Sequence, residues 1–329
     1  MSKTLTISIA AYNVEKYIKE TLESLVVPEV IDDIEVFIVD DGGNDNTLAI
    51  AKEYEKKYPN SFHAVHKTNG GYGSVFNLTI SMASGVYYKL LDGDDWFDKK
   101  GLIDLVKKLK NATSDVVITN FYKGPNKDEL AEAKVLDDSE KTVIDSVDFY
   151  RNKPIGMWAL VYKTSVLRES NLRLTEHSLY TDQYYSTIPF LYAKTVELFP
   201  IYVYCYSIGY DEQSASRMSR IRHTDEMLSV CASIASFAEE NKAKSRYIMS
   251  RAAIYHTTAI RTIMLDKINI NNMKRIKNYD EEIHKSAPSV YKEAEKMGKI
   301  GKFIKLLRAT NYYTYLILKI KPGGISNWQ

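Results

Sequence analysis

Short apolar runs alternate with amphipathic segments along the first 120 residues. The runs have the length and composition of buried β-strands: LTISIA (5–10), EVFIVD (35–40), FHAVHK (62–67), YYKLLD (87–92) and DVVITN (115–120). The segments between them carry apolar residues at helical spacing. Strands that alternate with helices predict an α/β protein with a mostly parallel, Rossmann-like sheet covered by helices on both faces.

The pattern changes beyond residue 120. The polar segment 121–141 predicts an exposed excursion, MWALVY (157–162) another strand, and VELFPIYVYCYS (196–207) a pair of edge strands. From about residue 222 the apolar spacing is helical. We therefore predict one α/β domain, large enough to be a catalytic domain, over residues 1–220 and a smaller helical region over residues 221–329.

The last predicted helix, residues 302–321, combines apolar and aromatic side chains with lysines and an arginine. This combination is typical of a helix that lies on an anionic membrane surface. A helix that packs in the core, or that joins subunits of a homo-oligomer, fits the same pattern. The sequence leaves these alternatives open.

Composition narrows the class of protein. The chain has 44 Lys plus Arg against 42 Asp plus Glu, which argues against a nucleic-acid partner. Its two cysteines, Cys205 and Cys231, indicate a reducing compartment and exclude both a disulfide scaffold and a cysteine zinc site. The first residues lack the apolar core of a signal peptide, and no run of about 18 apolar residues occurs, so we expect a cytoplasmic protein.

Polar clusters follow four of the predicted strands where each strand ends. They begin at Tyr12, Asp40, Lys67 and Asp92. In open α/β sheets ligands bind beyond the carboxyl ends of the strands, so these clusters predict one binding edge. Acids spaced as in DGDD (92–95) suit Mg²⁺ or Mn²⁺, which prefer oxygen ligands, although an isolated pair of this kind often only caps the next helix.

Five motifs occur in a set order: AAYNVEKYI (10–18), VDDGGNDNT (39–47), NGGYGSVFN (69–77), LLDGDDWFD (90–98) and YTDQYY (180–185). Together they resemble the family 2 glycosyltransferases, which have the GT-A fold, use nucleotide sugars and invert the anomeric centre. The resemblance covers roughly residues 4–215. Its first four motifs are specific as a set, whereas each alone is weak.

The resemblance assigns a nucleotide-sugar site. It places Tyr12 against a uracil ring, and Asp41 as the acceptor of the uracil N3–H, which cytosine lacks. Further contacts to the nucleotide sugar are implied for Ala10, Ala11, Asn69, Gly71, Asp92 and Gly93.

The same resemblance assigns the acids of DGDD. Asp94 is expected to ligate Mn²⁺ or Mg²⁺ directly, with Asp92 beside it on the ribose and metal side. Asp95 has a supporting role, and Asp98 is left to cap the next helix.

The chain departs from the family where a diphosphate contact is usual. The family's Ala-Arg-Asn is Val75, Phe76 and Asn77 here, so the arginine is missing. We take Lys67 as its substitute, and Arg217 as a second residue that reaches the diphosphate.

Inversion also needs a general base, because the attacking hydroxyl must lose its proton. Asp182 matches the family's catalytic aspartate, while the usual preceding glutamate is Thr181. A role as a simple helix cap is the alternative for Asp182. Trp158 and Asp211 are candidates for the acceptor side.

These assignments predict a metal-dependent inverting glycosyltransferase. It would transfer a hexose or N-acetylhexosamine from a UDP-sugar to a hydroxyl of a cell-surface polysaccharide, teichoic acid or lipid-linked glycan. A non-catalytic nucleotide- or glycan-binding module on the same fold is one alternative. A sugar-1-phosphate nucleotidyltransferase is another, but its glycine-rich loop would follow the first strand, where this chain has AAYNVE (10–15).

Overall fold

A computed structural model describes four stretches of the 329-residue chain, namely residues 3–135, 143–150, 154–208 and 216–317. The chain divides into two compact units. The first comprises residues 1–146 with 155–209, and the second comprises residues 147–154 with 210–329. The division between the units falls about ten residues before the one predicted.

The first unit is built on one sheet. Its strands are β1 (Leu5–Ala11), β2 (Ile34–Asp40), β3 (Phe62–His66), β4 (Tyr87–Asp92), β5 (Trp96–Phe97), β6 (Val116–Gly124), β7 (Ala131–Ala133), β8 (Val143–Asp145), β9 (Leu160–Lys163) and β10 (Thr195–Ser207). Its helices are α1 (Ile18–Leu25), α2 (Thr47–Lys57), α3 (Tyr72–Met82), α4 (Lys99–Leu109), α5 (Thr164–Glu169) and α6 (Asp182–Tyr185).

The central strands run in the order β3-β2-β1-β4-β9-β6-β10-β5. The pairs β3–β2, β2–β1, β1–β4 and β6–β10 are parallel, whereas β9 runs antiparallel to both of its neighbours. The prediction of a mostly parallel α/β sheet is confirmed. In the register of β1, Ala10 lies beside Asp92 and Ala11 beside Asp40, so the carboxyl ends of three strands meet at one edge.

Residues 196–207 are not a pair of edge strands. They form most of the single strand β10, which lies between β6 and β5. The pairing with β6 shifts register twice, between Phe199 and Tyr202, which flank Pro200, and again between Tyr202 and Tyr204. Proline cannot donate to the ladder, which accounts for an irregularity at this point, but the strand continues through it.

Two further predictions need correction. The excursion begins later than predicted, because β6 extends to Gly124 and pairs there with β7; residues 136–142 lie outside the described stretches. In MWALVY the strand begins only at Leu160, after a 3₁₀ turn over Met157–Ala159. The predicted cap is confirmed, since the Asp98 carboxylate accepts from the Gly101 N–H at 2.7 Å at the start of α4.

The second unit is helical, as predicted. Its helices are α7 (Arg217–Arg222), α8 (Thr224–Glu240), α9 (Arg246–Ile263), α10 (Ile270–Ser286), α11 (Pro288–Ala294) and α12 (Gly298–Ala309). A continuous helix to residue 321 is wrong, because α12 ends at Ala309, a 3₁₀ turn follows over Tyr313–Ile317, and residues 318–321 lie outside the described part. Within residues 3–317 as described, no helix is both long and apolar enough to cross a bilayer.

Candidate active site

The acids of DGDD sit where β4 ends, at the edge shared with β1 and β2. Asp92, Asp94 and Asp95 each offer a carboxylate oxygen, and these oxygens lie within 4.8 Å of one another. Among the described residues this is the one group of three side chains of metal-ligating type with such spacing. The donor set consists of oxygen alone, which suits a hard divalent cation.

Backbone and side-chain contacts hold this acidic turn in place. Gly93 donates its N–H to the Ala10 carbonyl at 3.1 Å, and a Cβ at this position would lie 2.9 Å from the same oxygen, so the turn requires glycine. The Asp95 carboxylate accepts from the Tyr204 hydroxyl at 2.6 Å and from the Ser207 N–H at 2.7 Å. Asp95 is therefore buried and anchored to β10.

The carboxylates of Asp92, Asp94 and Asp95 repel one another in a buried environment, where little water screens their charges. Burial raises the pKa of Asp92 well above its usual range, and the charges of Asp94 and Asp182 raise it further. Burial and the charges of Asp92 and Asp94 likewise raise the pKa of Asp95. The buried Oδ1 atom of Asp92 has no hydrogen-bond partner among the described residues. A divalent cation would satisfy this oxygen and offset the repulsion, so the residues fit the predicted metal.

Asp182 is the first residue of α6, and its carboxylate accepts from Gln183 Nε2 at 2.8 Å. Its charge contributes to the raised pKa of Asp92, so the fold brings the proposed base and the acidic group together across about 90 residues of sequence.

Tyr72 lies in the same place, and although it belongs to the motif NGGYGSVFN (69–77), the motif assigned it no role. Burial and the charges of Asp92 and Asp182 raise the pKa of its hydroxyl, which donates to Met157 Sδ at 3.5 Å. The phenol therefore faces both carboxylates that the motifs single out.

The predicted nucleoside residues lie at the neighbouring strand ends. Ala10 and Ala11 end β1, and Ala11 accepts from the Asp41 N–H at 2.9 Å. Tyr12 follows them with 51% of its surface exposed, so its ring is accessible to a ligand. Stacking on a base requires such an accessible aromatic face.

Asp41 is almost fully buried, and protein donors surround it. It accepts from the Gly71 N–H and from Lys67 Nζ, both at 2.7 Å, and from the Gly70 N–H at 3.0 Å. Asn69 Nδ2 donates to the Asp41 carbonyl at 2.8 Å. This carboxylate thus stabilises the glycine turn, and a bond from a uracil N3–H would have to be added to these or to replace one of them.

Lys67 is engaged in the same way. Its ammonium donates to Asp41, to the Thr68 carbonyl at 2.6 Å and to Ser74 Oγ at 2.8 Å, which accounts for its three donors. A diphosphate would have to compete with these contacts. Phe76, at the place of the family's arginine, is fully buried, with its ring edge to face with Tyr88 and Tyr185 at centroid distances of 5.8 Å.

The remaining candidates have different surroundings. Trp158 is partly exposed, stacks on Tyr206 at 4.9 Å between centroids, and contacts Phe121 at 5.4 Å. Arg217 belongs to the second unit, where its guanidinium donates to the Leu265 carbonyl at 2.6 Å. Asp211 lies outside the described residues.

Lys89 is a buried cation on β4, three residues before Asp92. Its side chain is fully inaccessible, and Nζ donates to the carbonyls of Trp158 at 2.7 Å and Leu160 at 3.2 Å. Burial lowers the pKa of Lys89 to about 7. A lysine inside the apolar run YYKLLD was the available signal for it, although the run alone does not reveal its partners.

This lowered pKa predicts a pH dependence of stability. An unfolded lysine holds its proton to about pH 10.4, so between pH 7 and that value the unfolded chain binds more protons and stability rises with pH. The Lys89 contribution should therefore be smallest below pH 7. We expect the free energy of unfolding of the wild type, minus that of Lys89→Met, to increase by about 2 kcal/mol from pH 7 to pH 9.

Urea unfolding at several pH values measures this difference. Lys107→Met removes an exposed lysine of α4 and serves as the matched control for the loss of a lysine side chain. A constant difference for Lys89→Met would mean that Lys89 keeps its proton throughout this range.

The model of glycosyl transferase family 2 matches residues 6–168 of the chain. Putative glycosyltransferase EpsH of Bacillus subtilis is 27% identical over 252 residues, which cover 74% of this chain and 71% of EpsH. A poly(ribitol-phosphate) beta-glucosyltransferase of Bacillus spizizenii is 30% identical over 217 residues, 64% of this chain and 33% of that protein.

The fold has a solved counterpart. The structure of Staphylococcus aureus TarS 1–349 in complex with UDP-GlcNAc superposes with a TM-score of 0.68 at 19% identity, covering 95% of this chain and 90% of that one. The predicted GT-A fold is therefore confirmed, and the match of the family model bears out the resemblance to the family 2 glycosyltransferases. The chain spans about a third of the length of several curated relatives that it matches, including GlyA of Streptococcus pneumoniae at 30%.

Proposed function

We propose that this protein is a metal-dependent inverting glycosyltransferase that uses a UDP-sugar. The observation that carries the proposal is the meeting of Asp92, Asp94 and Asp95 with Asp182 at the strand ends, next to Tyr12. Such a site has carboxylates that can bind a cation, a further carboxylate that can act as a base, and an aromatic ring on which a nucleoside can stack. The transferred group is a hexose or N-acetylhexosamine.

Relatives support this donor and the acceptor class. TarS was solved with UDP-GlcNAc and with UDP, and two curated relatives are named as poly(ribitol-phosphate) glycosyltransferases. We propose a hydroxyl of a polysaccharide, a polyol phosphate such as teichoic acid, or a lipid-linked glycan as the acceptor. Trp158 and Asp211 remain the proposed acceptor-side residues, and Lys67 and Arg217 the proposed diphosphate contacts.

Asp94 and Asp92 would hold Mn²⁺ or Mg²⁺, and Asp95 would keep Asp94 and Asp92 in position through its bonds to β10. The cation, when bound, neutralises charge on the departing diphosphate. Tyr12 and Asp41 orient the nucleoside, so that the anomeric carbon faces the acceptor. Asp182 then accepts the proton of the attacking hydroxyl as the new glycosidic bond forms on the face opposite the diphosphate.

A panel of UDP-sugars tests this proposal. With Mn²⁺ present, we expect one UDP-sugar to raise the melting temperature and to be hydrolysed slowly, since a ligand that binds only the folded state stabilises it. Stabilisation by GDP-sugars in place of UDP-sugars would contradict the proposed donor. Binding of UDP without turnover on any acceptor would favour a non-catalytic module.

We further propose that the protein works in the cytoplasm, against an anionic lipid surface. The outward face of α12 carries Lys299, Lys302 and Lys305 next to exposed Leu306, while Phe303 and its neighbours are buried inward. Basic and apolar side chains on one exposed face suit such a surface. Replacing the three lysines by glutamine should abolish co-sedimentation with anionic liposomes. Concentration-dependent self-association without lipid binding would favour a homo-oligomer instead.

A further inference from the structure

The glycine-containing turn 69–71, which precedes α3, is hydrogen-bonded to the loop that precedes Asp182, the proposed base. The His177 N–H donates to the Gly70 carbonyl at 2.6 Å. One turn into α3, Asn77 Oδ1 accepts from the Leu174 N–H and Asn77 Nδ2 donates to the Leu174 carbonyl, both at 2.9 Å. The turn with the start of α3 and the loop that begins at Leu174 are thus joined at both ends of their contact, although Asn77 and Leu174 are 97 residues apart in sequence.

Glycines allow these segments to approach. A Cβ at Gly73 would lie 2.3 Å from the Thr175 carbonyl oxygen, which is closer than any real contact of this kind. Gly71 has φ +78°, and a Cβ there would lie 3.2 Å from the His177 nitrogen. Any larger residue at position 73 must therefore displace the loop. These glycines have a steric role beyond close approach to a phosphate.

The loop itself holds two residues in a costly conformation. His177 has φ 52° and Tyr180 has φ 63°, both in the left-handed region that residues other than glycine rarely adopt. Such conformations persist only where surrounding contacts enforce them. The Gln183 N–H then bonds back to the Tyr180 carbonyl at 3.1 Å, so the strained loop leads directly into the first turn of α6 at Asp182.

We infer that Asn77 is a positioning residue for the proposed base, because it holds the loop 174–180 in the conformation that presents Asp182 to the site. Asn77 is buried, and its amide supplies one acceptor and one donor to the backbone N–H and C=O of the same residue, Leu174. Neither aspartate nor alanine reproduces that pair of bonds. The inference rests on the proposed function for the role of Asp182.

The same interface connects the donor side of the proposed site with the proposed base. The turn at Gly70 and Gly71 is the predicted diphosphate side, and its backbone N–H groups are held by Asp41. The same turn also bonds to the loop that precedes Asp182. The predicted diphosphate side of the site and the proposed base are therefore positioned by one turn. Misplacement of a reacting group by about 1 Å can cost 100-fold in rate.

Asn77→Asp and Asn77→Ala test the inference in the full chain. We expect the kcat of Mn²⁺-dependent UDP-sugar hydrolysis to fall by about 10- to 100-fold, while the KM for the UDP-sugar and the Kd of UDP change by less than about 3-fold. Amide hydrogen exchange over residues 174–182 should become faster. Ser81→Ala is the matched control, since this exposed residue of α3 bonds only within its own helix.

Gly73→Ala disturbs the same interface at a second position of α3, where the new Cβ would meet the Thr175 carbonyl. It should give the same pattern, which covers the case that an Asn77 variant does not fold. Wild-type turnover in a variant whose 174–182 amides exchange faster would overturn the inference. So would a fall in kcat matched by an equal loss of UDP affinity. If the wild type neither binds UDP nor hydrolyses a UDP-sugar, the proposed function fails, and unchanged exchange over 174–182 in the variants would separately overturn the structural part.

Discussion

Replacing Asp182 by asparagine is expected to abolish sugar transfer and leave UDP binding intact. Asparagine has nearly the same shape but cannot accept a proton at neutral pH, and a positioned general base contributes about 10²- to 10⁴-fold to rate. The side chain lies at the start of α6, where its charge acts on Asp92 and Tyr72. We expect UDP release from the UDP-sugar to fall by at least about 100-fold, with the Kd of UDP unchanged by calorimetry.

A matched control separates this effect from a general change of charge. Asp104→Asn removes an acid of α4 that pairs with Lys100 on the helix surface, away from the strand ends. Its turnover should equal that of the wild type. Near-normal turnover of Asp182→Asn would remove Asp182 from the mechanism and would support its alternative role as part of a helix start.

Replacing Asp94 by asparagine is expected to abolish the dependence of UDP binding on Mn²⁺. In the proposed site Asp94 ligates the cation, and a neutral amide is a much weaker ligand for a hard cation than a carboxylate. Burial and neighbouring acids raise the pKa of Asp92 and Asp95, so removing one charge also lessens the repulsion that a cation would relieve. The gain in UDP affinity on adding Mn²⁺ should therefore fall at least about 10-fold.

Asp98→Asn is the control for this prediction. Asp98 lies four residues further along, but its carboxylate caps α4 through the Gly101 N–H, and asparagine is an equally good cap. This variant should keep both its stability and its response to Mn²⁺. An undiminished response in Asp94→Asn would show that the cation, if bound, is held without this side chain.

The sheet was predictable because its evidence is local. Each of β1, β2, β3 and β4 is a short apolar run followed by a helix, and that alternation requires parallel strands with crossovers. The errors came where local signals mislead. Residues 196–207 were predicted as a pair of edge strands, yet β10 continues through Pro200 because its pairing with β6 and the buried residues before and after the proline outweigh one lost hydrogen bond.

The site was predictable in part for a similar reason. Asp92, Asp94 and Asp182 stand in motifs whose order and spacing are visible in the chain, and strand ends of a parallel sheet share one edge. Tyr72 and Lys89 were missed, since nothing in a single sequence indicates which distant groups a tyrosine or a buried lysine will face. Their partners come from other elements, as with Lys89 and the carbonyl of Trp158, 69 residues away.

The sequence by itself thus determined the strand and helix alternation, the binding edge and the acids that lie on it. These follow from patterns within a few residues, where side-chain period and turn chemistry act. Only the tertiary structure decided which groups support them: Tyr204 anchors Asp95 from 109 residues away, and Asn77 holds Leu174 from 97 residues away. Such pairings depend on how whole elements pack, which local periodicity does not encode.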